Sequence, residues 1–278
     1  FFNRAVQGNY QPGGVLQTPL VAAALLVGQP LDEDIENATD PVPINGLELT
    51  CAVRLPSMTL TLRDAYAFAC PQPFSLLVNQ LGVEPVEAVF DTFRLEESQP
   101  LFRPITTTTA AEAAAPASSP DEVHLNALGQ GDLTVSPLNM AMMAAAIVND
   151  GNAPQPYLLR ETRSHETQAW TAAQSIRPTL PVMTVNTARQ LQDLMRNAVA
   201  NGAAQNAGRP DIDIAGHASL AYSGEGTQAW FVGFATLQGR QGAAVAIVLE
   251  NSDDPGLAAH IGGTALMAAQ VALSPGEP

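Results

Sequence analysis

The sequence predicts an α+β chain in which an antiparallel sheet is covered by helices, and three observations predict it. Apolar residues recur at helical spacing through most of the chain. Two strand-like segments, Gln228–Ala235 and Gly242–Glu250, come late and are separated by a short turn containing glycine, as in an antiparallel hairpin. A small-residue helix over Pro255–Leu273 then closes the chain, its Ala and Gly suited to close docking on a sheet. Helices first and a hairpin late favour α+β over alternating β and α units.

Each element has its own signal. Gly14–Gly28 carries Val15, Leu16, Leu20, Ala23, Ala24 and Val27 on a 3.6-residue period, that of a buried helix. Pro19 has no N–H to bond back to Val15, so regular helix is expected from about Gln17, with Pro19 in its first turn. Asp32–Pro43 is polar and reads as a loop. Thr61-Leu62-Arg63-Asp64 starts a helix, and a second is expected over Pro73–Leu81, ending at Gly82. Thr106–Pro120 is low-complexity and reads as an exposed loop. Ser136-Pro137 opens an apolar helix through Met140, Met143, Ala144 and Ile147, stopped by Asp150-Gly151. Val185–Val199 is amphipathic, with Leu191, Leu194 and Met195 inward and Arg189, Gln192 and Asp193 outward.

Charge narrows the function. The 278 residues carry 27 acidic and 12 basic side chains, a net charge of −15, and every basic residue is Arg. Nucleic acids and anionic membrane surfaces need clustered cations, which this chain lacks. No lysine base or lysine cation can operate in it. His124, His165, His217 and His260 are scattered, Cys51 and Cys70 are too few and too far apart for a zinc ribbon, and no glycine-rich phosphate loop occurs. No metal or cofactor is therefore expected. The two cysteines suit either a disulfide in an oxidising compartment or two small core residues. The chain opens on Phe1-Phe2-Asn3-Arg4 without a signal peptide and reads as part of a longer protein.

Ordered segments carry a resemblance. Asn3-Arg4-Ala5 with Tyr10-Gln11-Pro12-Gly13, then Leu60–Ala65, then Gly129-Gln130-Gly131 to Thr134–Leu138 running into Ala145–Gly151, and finally Ala229–Phe234, resemble in order the scaffold of class B penicillin-binding protein transpeptidases. The resemblance implies a transpeptidase-like fold, in which helices flank a five-stranded antiparallel sheet. It implies one domain over 1–278, with a mainly helical lobe over about residues 30–150 between the first helix and the sheet.

The family's chemistry uses three motifs. S-x-x-K sets a serine nucleophile one helical turn from a lysine base. S-x-N adds a hydroxyl and an amide, and K-T-G lies on an edge strand, where it meets the substrate carboxylate and helps form the oxyanion hole. Here the first motif reads Gly14-Val15-Leu16-Gln17, the second Ala69-Cys70-Pro71 and the third His217-Ala218-Ser219. All three are broken at their chemically active positions.

The expectation is a pseudoenzyme acting by protein contact or by holding a peptide. Its partners would be a peptidoglycan stem peptide or cell-wall and division proteins, outside the cytoplasm, with a membrane anchor only in an N-terminal part beyond this sequence. The alternative is an acyltransferase or β-lactamase-like hydrolase using unconventional residues, with Ser57, Ser219, Ser223 or Cys70 as nucleophile. His217 is expected to be a partly exposed strand residue without a ligand; the alternative is a hydrogen bond to a ligand from the neutral ring or, as a cation, a pairing with a carboxylate. The converged cleft is expected to be apolar and uncharged.

Overall fold

A computed structural model describes residues 2–95, 119–156, 161–172, 179–224, 226–236 and 242–273. After a single helical turn, α1 (Arg4–Gln7), the chain makes a 3-10 turn over Gly13–Leu16 and enters α2 (Gln17–Leu26). The expected irregular start is present, and Pro19 sits in the first turn of α2, where its missing N–H costs nothing. Helix α2 is buried from Gln17 to Ala24, which its nearly all-apolar sequence permits.

The stretch read as a loop holds short strands. β1 (Asp34–Ile35) pairs with β4 (Leu60–Thr61), and β2 (Val42–Ile44) with β3 (Leu47–Leu49). The β2–β3 turn uses Asn45 and Gly46, both with positive φ, which is the geometry of a tight hairpin. Helix α3 (Leu62–Ala67) is capped by the Thr61 hydroxyl, which accepts from the Asp64 N–H at 3.1 Å. It leads through Ala69, at φ 52°, into α4 (Pro71–Leu81). Gly82 separates α4 from α5 (Val83–Phe93), a helix the sequence reading left out.

Residues 106–118 of the low-complexity segment lie outside the described residues. Its last two do not form a loop: Ser119 caps α6 (Pro120–Ala127) in a capping box with Glu122. Ser136 caps α7 (Pro137–Val148) in turn. Two small pairings follow, β5 (Asn152–Ala153) with β8 (Leu180–Pro181) and β6 (Glu161–Arg163) with β7 (Trp170–Ala172). Helix α8 (Val185–Asn201) buries the inward residues its periodicity marked, Leu191, Leu194 and Met195, with Ala188 and Ala198 on the same face.

The main sheet has the order β11-β10-β9, all antiparallel: β9 (Asp213–Ser223), β10 (Gly226–Thr236) and β11 (Gly242–Leu249). Among the described residues it has three strands rather than the five expected. Helix α9 (Pro255–Leu273) covers one face. Phe231 of β10 is fully buried on that face, in a cage that only glycine allows. A Cβ at Gly216, Gly233 or Gly262 would run into its ring. Tyr10 and Trp230 meet edge to face at 6.0 Å, and the Trp230 indole N–H donates to the Gln11 carbonyl, which ties the N-terminal segment to the sheet. Among the described residues no helix is long and apolar enough to cross a membrane.

Candidate functional site

Three separate elements bring the motif positions together. The 3-10 turn supplies Gly14, and Gln17 follows at the start of α2. The link between α3 and α4 supplies Ala69, Cys70 and Pro71, and β9 supplies His217 and Ser219. Strand alternation splits the third motif. Ala218 lies opposite Phe231 and shares its face of the sheet, the face under α9. His217 and Ser219 point the other way, toward the turn that carries Gly14.

His217 is fully buried, which corrects the expectation of a partly exposed strand residue. Its Nε2–H donates to the Gly14 carbonyl at 3.1 Å, and its ring stacks on Tyr66 at 4.3 Å between centroids. Burial lowers its pKa to about 4, against the weaker opposing effect of the bond to Gly14. The imidazole is therefore neutral at pH 7, with its proton on Nε2, and among the described residues no carboxylate is paired with it. Tyr66 is held in turn by Thr18, oxygen to oxygen at 2.9 Å, and burial raises its pKa.

Gln17 Nε2 donates to the Cys70 carbonyl at 3.4 Å, so the first and second motif positions still touch, but through an amide without basic character. Cys70 is bonded to Cys51. That settles the choice left open by the sequence and removes Cys70 as a nucleophile. Ser57 is exposed and donates to Asp40, and Ser223 donates to the Gly226 carbonyl. Ser57 thus has a carboxylate beside it, but neither Ser57 nor Asp40 lines the cleft, and among the described residues Ser223 bonds only a backbone carbonyl.

A cleft opens over Gly13, Gly14, Gln17, Ala69 and Pro71, walled by Leu49, Thr50, Leu128, Gln130 and Tyr222. None of its lining residues carries a charge. Its volume is about 20 Å³, room for about one water. The reason is local packing. A Cβ on Gly14 would stand 2.8 Å from Ser219 Cβ, so the strand occupies the space a side chain on the turn would need. His217 and Ser219 lie behind the turn and do not line the cleft. Three polar atoms of these motif positions, Gln17 Oε1, His217 Nδ1 and Ser219 Oγ, are buried without a partner among the described residues. Sequence reasoning missed Tyr66 and the Leu49–Thr50 wall. Tyr66 directly follows the matched Leu60–Ala65 segment, whereas nothing in the sequence marks Leu49 and Thr50.

The sequence pattern of the penicillin binding protein transpeptidase domain matches residues 1–267. The chain belongs to that family. It is 28% identical to the peptidoglycan D,D-transpeptidase PbpA of Mycolicibacterium smegmatis, over 96% of this chain and 56% of that protein. The same identity is found to PbpA of Mycobacterium tuberculosis, over 91% of this chain and 52% of that one. The chain thus spans about half the length of these curated relatives. Among solved structures, PBPA of M. tuberculosis superposes with a TM-score of 0.79 at 27% identity, covering 97% of this chain and 63% of that one. A D,D-transpeptidase domain of a peptidoglycan glycosyltransferase from Eggerthella lenta gives 0.79 at 26%, over 97% and 68%. The β-lactamase/transpeptidase fold expected from the motif scaffold is therefore present.

Proposed function

We propose that this penicillin-binding-protein transpeptidase domain is catalytically inactive and serves peptidoglycan synthesis or cell division outside the cytoplasm through contacts with protein partners. The observation that carries this reading is the closed space at Gly14. The nucleophile position has no side chain, the facing Ser219 fills its place, and about 20 Å³ is left above it. A hydrolytic or transfer reaction needs a nucleophile, a base within hydrogen-bond reach and donors for the developing oxyanion. Gln17 supplies no base, and Ala69 and Pro71 supply no hydroxyl or amide side chain. The enclosed space above Gly14 is small, which favours protein contact over peptide holding.

The relatives named D,D-transpeptidases, one of them solved as a ceftriaxone acyl-enzyme, favour the opposite reading of an active site rebuilt from other residues. Intact mass after incubation with a β-lactam decides between them. An unchanged mass is expected, and a stoichiometric acyl adduct would overturn the proposal. Capture of partners by the full-length protein would then name the contact.

A further inference from the structure

A second pocket shares no lining residue with the cleft. Its floor is Phe93, at the end of α5, with Met143 and Ala146 of α7, all buried. Its walls are the half-buried Met142 of α7 and Leu180 and Val182 around β8. The frame is fixed without a ligand. The Asn139 side-chain amide donates to the carbonyls of Arg94 and Leu95, at 3.3 and 2.6 Å, and fastens the end of α5 to the start of α7. On the other side the Val182 N–H donates to the Gly151 carbonyl at 2.9 Å, and Pro154 and Pro156 stiffen the segment after β5. A preformed wall loses little freedom when it is covered.

Volume and charge decide what fits. The pocket holds about 120 Å³. Small-molecule sites run to roughly 300–1,000 Å³, whereas a cavity of about 150 Å³ takes a single benzene ring. The space therefore suits one apolar side chain, the size of leucine or phenylalanine, and methionine walls adapt to either. Arg94 is exposed and is the one charged residue among the described lining. Asp91, one turn earlier on α5, does not line the pocket. A guanidinium has five donors in a fork that matches a carboxylate, more than one partner uses. On a chain of net charge −15, a carboxylate is drawn to this rim and repelled by most of the remaining surface, which fixes its register. We propose that this pocket is an anchor site for a protein partner, which inserts one leucine- or phenylalanine-sized side chain with a carboxylate beside it on Arg94. Such a filled pocket is where binding energy concentrates in a protein interface.

The proposal rests on the protein-contact reading and says where that contact is anchored. Selection of a randomised peptide library on the full-length protein tests it, with Met142→Glu and Arg94→Gln as variants at half-buried and exposed positions. Enriched peptides should share an apolar residue with Asp or Glu beside it. Met142→Glu sets a like charge against that carboxylate and should weaken binding on the order of tenfold or more. Arg94→Gln should weaken the acidic peptide by about tenfold and leave its Asn or Gln counterpart unchanged. No enrichment, equal binding of acidic and amide peptides to the parent, or undiminished binding to Met142→Glu would overturn the anchor. So would 3-phenylpropionate binding as tightly as the peptides, which would make the pocket a site for a small acid. A β-lactam adduct would overturn the inactive reading and leave these binding results standing, so the two failures are distinguishable.

Discussion

Gly14 and Ser219 face each other so closely that only one of the two positions can carry a side chain, since a Cβ on Gly14 would lie 2.8 Å from Ser219 Cβ and 3.3 Å from its Oγ. The family resemblance implies serine at the first of these positions and glycine at the second, the reverse of the residues here. On that proposed correspondence the two exchanges are coupled by packing, because the space a side chain at 14 would need is taken by the one at 219.

A thermodynamic cycle on this pair follows directly. Gly14→Ser alone overpacks a buried contact and should cost about 1–3 kcal/mol. Adding Ser219→Gly should return most of that, leaving a coupling energy of more than about 1 kcal/mol. Urea denaturation of the four proteins measures it. Additive effects would mean that the two positions do not compete for the same space.

Much of this arrangement was legible in the sequence, because the family scaffold fixes which segments converge. Gly14, Gln17, Ala69 and Pro71 do meet at one cleft, and regular helix does begin at Gln17. What could not be read depends on long-range packing. The exposure of His217 is decided by Tyr66, a residue 151 positions away on α3, and by the carbonyl of Gly14. The pairing of Cys51 with Cys70 depends on how the link after α3 meets the segment that follows β3, which no local pattern encodes. Helix α5 escaped because Pro85 and the preceding Gly82 look like breakers, although Pro is tolerated in a first turn.

His217 should leave a signature in the pH dependence of stability. Its pKa is lowered from 6.5 to about 4 in the folded protein. Between those values the unfolded chain binds the proton that the native state excludes, so stability rises with pH through this window and levels off above about 6.5. The stability lost on going below the window is about 3 kcal/mol. His217→Gln keeps a donor for the Gly14 carbonyl and does not titrate. Followed by urea denaturation from pH 7.5 to 4.5, the parent should lose most of this amount relative to the variant. Equal slopes would place the imidazole in contact with water.

Gln17→Lys should destabilise the fold. Gln17 is 4% exposed, and no carboxylate lines the cleft above it. A buried ammonium without a partner costs several kcal/mol or gives up its proton. A lower melting temperature at pH 7, partly recovered toward pH 9 as the amine is neutralised, is the expected result. A rise in melting temperature on this substitution would show that the site still accommodates a cation.

Restoring the first motif should not restore acylation. Gly14→Ser with Gln17→Lys supplies a hydroxyl and an amine, and a third change, Ser219→Gly, makes room for the hydroxyl. The remaining parts are still missing. Ala69 and Pro71 offer neither the hydroxyl nor the amide of the second motif, and the third motif presents a neutral imidazole committed to the Gly14 carbonyl. The turn itself is 3-10 rather than α-helical over Gly13–Leu16, so the spacing between residues 14 and 17 differs from a regular helical turn. Groups that act as a unit lose orders of magnitude in rate when any one is absent. Fluorescent penicillin should therefore label neither the double nor the triple variant. A labelled band from the triple variant would mean that Ser219 alone had closed the site, with the second and third motifs dispensable to the chemistry.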